Sequence, residues 1–147
     1  MRVDFDNLIV EVERKGKYVE LKLVKKMPEE QEEYIKVKLS DKEFGEFKNH
    51  INRMSPYGTQ PPFMCKARVI DFKRKIGQYL EMEMYKTVPI PSEVECVIHS
   101  YQCADEIIII FLTKMPNNAV LSFAINKDAG TEHSKTTIDK LVKIIEY

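Results

Sequence analysis

Neither sign of charge prevails in this chain. Its 23 lysines and arginines stand against 23 aspartates and glutamates, a formal net charge of zero. That excludes a whole-molecule field of the kind that draws in nucleic acid or anionic lipid. Long apolar runs are missing as well: the longest uncharged one, Ile107 to Leu112, has six residues, against the roughly 18–20 of a spanning helix. The opening Met1-Arg2-Val3-Asp4-Phe5-Asp6 has no apolar signal-peptide core. Cysteine is sparse, with three residues and no close pairing, which argues against a disulfide framework and for a reducing compartment. No P-loop and no G-x-G-x-x-G is found, so a nucleotide-fuelled role is not expected. The expectation is a cytoplasmic chain with no membrane partner and no cofactor.

What is present is patterned. A chain of 147 residues, 44% hydrophobic and 31% charged, fits one domain that buries roughly 70% of its unfolded surface and folds without disulfide or metal. Leu8, Val10 and Val12 alternate with Ile9, Glu11 and Glu13. Val19, Leu21 and Leu23 recur with the same period, and then Ile35, Val37 and Leu39. Period two with one polar face predicts antiparallel strands wet on one side. Arg14-Lys15-Gly16-Lys17 reads as a hairpin turn. Ser40 and Glu43 form a capping box ahead of Phe44, Phe47, Ile51 and Met54, an apolar helical stripe. Ser55-Pro56-Tyr57-Gly58 stops that helix, and Gln60-Pro61-Pro62 continues as a stiff connector. A second strand series follows from Cys65. Ile107 to Leu112 lacks polar alternation, which predicts a central strand covered on both faces. Thr136 and Asp139 predict the cap of a last helix carrying Ile138, Leu141, Val142 and Ile145.

The fold class expected is therefore α+β, mainly antiparallel sheet with two amphipathic helices. The domain is single and readable as two pseudo-repeats, 1–55 and 63–147, joined by the Pro-rich connector 56–62. The stretches Arg14 to Lys25 and Arg74 to Lys86 support a duplication. Each is a basic turn followed by tyrosine and alternating apolar and charged residues.

Charge is uneven along the chain. Residues 55–90 carry six basic and three acidic side chains, residues 91–147 five and eight. Single-stranded nucleic acid needs cations along its phosphates and flat faces for its bases. Arg14, Lys15 and Lys17 on one hairpin and Lys73, Arg74 and Lys75 on the other supply the cations. Tyr18, Tyr79 and Tyr85 supply the faces, and Lys22, Lys36 and Lys38 add a basic stripe. Cys96, His99 and Cys103 have Cys-x2-His-x3-Cys spacing, but on a strand Cys96 and His99 point to opposite faces, so no metal site is expected. His50 and His133 read as surface residues. No G-x-S-x-G or H-E-x-x-H supports an enzyme, and carboxylates such as Asp71, Glu81 and Glu83 match no nuclease spacing.

The segment Tyr34-Ile35-Lys36-Val37-Lys38-Leu39-Ser40-Asp41-Lys42-Glu43-Phe44-Gly45-Glu46-Phe47 resembles the end of the repeat in the transcriptional coactivator positive-cofactor-four family, whose Whirly relatives carry a ββββα unit twice. Ile35 to Leu39 stands where that family has Lys-Gly-Ile-x-Leu, here without the glycine. The resemblance implies non-enzymatic binding of single-stranded DNA on a curved antiparallel sheet. Lys36 and Lys38 would sit at the family's basic positions, and the Arg14–Lys17 and Lys73–Lys75 hairpins would be its projecting loops. A protein-interaction or regulatory domain is the alternative, a small accessory or viral factor, and a metal-dependent nuclease a third. A homo-oligomer remains open.

Overall fold

The computed structural model describes residues 1–26, 32–56, 58–79, 82–87, 94–103, 106–114, 120–125 and 134–146, with backbone only for 74–79, 82–87 and 134. The alternating segments of the first half pair in chain order. β1 (Arg2–Asp4), β2 (Leu8–Lys15), β3 (Tyr18–Lys25) and β4 (Tyr34–Ser40) make an antiparallel meander. Lys15 pairs with Tyr18, and Gly16 at φ 62 supplies the left-handed backbone that a two-residue hairpin turn requires. α1 (Asp41–Asn52) starts from Ser40. The Glu43 N–H donates to the Ser40 hydroxyl at 3.2 Å and the Ser40 N–H donates to the Glu43 carboxylate at 2.7 Å. Phe44, Phe47 and Ile51 are buried on one face of this helix.

β5 (Thr59–Tyr79) is the spine of the molecule. Its first part pairs with β7 (Val94–Cys103), its middle from Arg68 to Lys73 with β4, and its end from Lys73 to Tyr79 with β6 (Met82–Thr87). β8 (Glu106–Lys114) and β9 (Val120–Ile125) continue the sheet, and α2 (Ser134–Ile145) closes the described chain. The strand order is β1-β2-β3-β4-β5-β7-β8-β9, with β6 beside β5 off this path. Beyond Lys73, β5 and β6 thus form a two-stranded arm. Along the sheet path each half runs as four strands followed by one helix.

Both helices lie on one face. Inward residues line up in two rows, Val12, Leu21, Val37 and Val69 in the first half and Cys65, Ile98, Phe111 and Phe123 in the second. All are buried, and residues of both halves share one hydrophobic cluster. α1 packs on β3, β4, β5 and α2, while α2 packs on β1 and β8. The sheet curls around the helices so far that the Asn7 side-chain amide donates to the Ala124 carbonyl. Lys25 reaches the Phe123 ring, 4.8 Å from its centre. The sheet stays open, with β1 and β9 as its two ends. Among the described residues, no helix is long and apolar enough to cross a membrane.

Four expectations need correction. Thr59 and Gln60 of the connector already pair with β7, and Pro61-Pro62 sits in a register shift within β5, because a bulge tolerates missing amide donors. The run Lys73-Arg74-Lys75 is strand, not turn. Gly77 borders a further register shift of β5, against β6, and residues 80–81 lie outside the described residues. β8 is open on one face, with Leu112 exposed. Its apolar run reflects an apolar outer surface rather than a covering layer. Thr136 lies within α2 rather than at its cap.

Candidate nucleic-acid interface

The face of β2–β4 opposite the helices gathers most of the predicted residues of the first half. Period two puts Tyr18, Glu20 and Lys22 of β3 and Tyr34, Lys36 and Lys38 of β4 outward. The register sets Lys22 beside Lys36 and Glu20 beside Lys38. Lys22 Nζ lies 4.4 Å from the centre of the Tyr34 ring and 3.8 Å from Glu32. Lys38 Nζ lies 4.9 Å from the centre of the Tyr18 ring. Both ammonium groups are thus at cation–π distance. A depression of about 600 Å³ adjoins Lys22, lined also by Arg2, Glu11, Glu13, Glu20 and Lys36 together with Met1 and Val12.

Acids interleave with these cations. Glu20 is buried, with Lys15 at 3.3 Å and Lys36 at 3.9 Å from its carboxylate. Its neighbourhood, hydrogen bonding first, holds the Lys15 ammonium above its ordinary pKa. Arg14 donates to Asp41 at 2.8 Å. Arg68 donates to both carboxylate oxygens of Glu43, and that hydrogen bonding keeps the Glu43 pKa below its usual value. The Tyr34 hydroxyl donates to Asp71 at 3.0 Å. Burial first, then that hydrogen bond, pushes its pKa up to about 12.

The two basic hairpins do not come together. The Arg14–Tyr18 turn lies at the Ser40 end of β4, because Tyr18 pairs with Ser40, whereas Lys73 pairs with Tyr34 at the opposite end. Six residue steps along β4, about 20 Å, separate those levels, and β5 carries the second hairpin farther away. Among the described residues, the Arg14–Tyr18 turn and Lys73 therefore do not border one groove. Lys73 is half-buried, and the side chains of Arg74, Lys75, Tyr79 and Tyr85 lie outside the described residues. Tyr34 was missed in the sequence reading, although its spacing from Lys36 and Lys38 already assigns it to their face.

The remaining candidates sit elsewhere. His50 is buried, not at the surface. Its Nε2 lies 2.7 Å from the buried Ser100 hydroxyl, and its ring stacks on Phe63 at 4.3 Å between centres. Desolvation, with Arg53 adding to it, lowers its pKa. A serine beside an imidazole is the geometry of an activated nucleophile, but each residue is only 2% exposed, so no substrate reaches them. The pair ties α1 to β7. Cys96 is buried on the inner face, His99 lies on the outer face and Cys103 is exposed. Burial pushes the Cys65 and Cys96 thiols up to about 11 and about 12. Among the described residues, no three His, Cys, Asp or Glu side chains converge on a metal position.

Known proteins add no assignment. No family model, no curated protein and no solved structure matches the chain. The site therefore rests on its own geometry.

Proposed function

We propose that the protein binds single-stranded nucleic acid, without catalysing a reaction, on the outer face of β2–β4. The observation that carries this reading is the alternation of Tyr18, Lys22, Tyr34, Lys36 and Lys38 over two adjacent strands on the face opposite α1 and α2. Phosphates take the place of the partly exposed Glu32 beside Lys22, an exchange that costs little because exposed ion pairs are weak. Bases stack on Tyr18 and Tyr34 once the lysines swing from ring to phosphate. Lys36 stays with the buried Glu20. The strands-then-helix order of each half supports the same reading, since it is the unit that the resemblance to the positive-cofactor-four family implies.

Zero net charge leaves attraction local, so the expected affinity is micromolar and falls with salt. Two lysines, Lys22 and Lys38, on a single strand give a slope of log K against log salt of about −1.4. In an anisotropy titration with a labelled oligonucleotide, replacing Lys22, Lys36 and Lys38 together by glutamine should weaken binding at least roughly tenfold. Replacing Arg14 and Lys15 should leave it nearly unchanged. No binding at about 50 mM salt, where phosphate contacts are strongest, would overturn the proposal.

A second reading, a regulatory domain that docks on another protein, is favoured by a different observation: the outward row Ile108, Ile110 and Leu112 of β8 is apolar and lies near Met64, 63% exposed, and Tyr101, 42% exposed. Such docking would survive loss of the three lysines.

A further inference from the structure

The outer face divides in two. Over β2–β4 it is charged and aromatic. Over β5, β7 and β8 it carries Met64, Tyr101, Ile108, Ile110 and Leu112, with Lys66, Glu95 and His99 beside them. Neither helix packs there, since both occupy the inner face. β8 presents this surface in the plainest form. Its buried residues Ile107, Ile109, Phe111 and Thr113 face the helices, and the alternate positions face out in the order Glu106, Ile108, Ile110, Leu112, Lys114. An acid ends the apolar row on one side and a base ends it on the other, and both are exposed.

That row is self-complementary. If two copies lay face to face with their β8 strands antiparallel and centred on Ile110, each Glu106 would meet the other copy's Lys114 at both ends, and the apolar residues would meet between them. This reciprocity is what a two-fold interface demands. A partner unrelated to this chain would need no such match. From these observations we infer that the outer face of β5, β7 and β8 is a homodimer interface in which the two copies' β8 strands pack antiparallel, with Glu106 opposite Lys114. Three or four strands about 4.8 Å apart and nine residues at about 3.4 Å each make a footprint of roughly 400–600 Å². Standard interfaces bury about 800 Å² per partner. The dimer is therefore one that dissociates on dilution.

Sedimentation velocity over a series from about 5 to about 500 µM, the range where such an interface equilibrates, tests this. The wild-type protein should move from monomer to dimer within it. Glu106→Lys alone should raise the dissociation constant at least roughly tenfold, because two lysines then face each other. Adding Lys114→Glu to the same chain should restore it. Both positions are exposed, so neither change threatens the fold, which a melting curve checks. Ile110→Lys should abolish the dimer. A monomer at every concentration, or a dimer indifferent to the single and the double charge reversal, overturns the inference.

Discussion

A buried imidazole that must stay neutral makes His50 an acid-sensitive point. Its folded pKa lies below the ordinary 6.5, so the unfolded chain takes up the proton first as pH falls. The stability it supports is complete above about 6.5 and is lost as pH drops through the folded value. Melting temperature should therefore fall between pH 7.5 and pH 5.5 with a slope that His50→Gln flattens; equal slopes for both proteins would contradict this. The sequence placed His50 on a helix, but a single histidine within an amphipathic pattern does not declare its burial. Its partners Ser100 and Phe63 come from strands far along the chain. Tyr34 is the reverse case. Its face was readable from period two alone, whereas its bond to Asp71 depends on the pairing of β4 with β5 and was not.

Elements were the most legible scale, because their signals are local. The Ser40–Glu43 capping box and the phenylalanine stripe of α1 stand in the structure as their spacing predicts. The cap also has work beyond the helix: Glu43 accepts from both Ser40 and Arg68, so it fastens the start of α1 to β5. Ser40→Ala should cost about 1 kcal/mol in a denaturant melt, the usual value of a helix N-cap; no change in midpoint would show that the box is idle. The strands misread were those whose local signal is ambiguous. Lys73-Arg74-Lys75 next to a glycine looks like a turn, yet the glycine at 77 can equally enter a bulge, and β6 decides the matter by pairing through it. The apolar run of β8 cannot by itself distinguish a strand covered on both faces from one whose outer face is apolar and open.

At the scale of the whole molecule, the α+β class followed from alternation and two helical stripes, but the curl of the sheet did not. It depends on β5 serving as partner to β4, β6 and β7 at once. It also depends on the hydrogen bond from Asn7 to Ala124, whose residues are 117 positions apart. The pairing register along β4 separates the two basic hairpins, and the alternation of the strands leaves a charged and aromatic outer face on β2–β4 and an apolar outward row on β8. The functions proposed for these two faces differ, nucleic-acid binding on the first and self-association on the second, and the first is the central one. Amide shift mapping with a single-stranded oligonucleotide tests it most directly. The account predicts salt-sensitive shifts concentrated at Tyr18, Lys22, Tyr34, Lys36 and Lys38, with Ile108 to Leu112 unmoved. Shifts confined to the β5–β6 arm or to β8, or none at all at low salt, would contradict it.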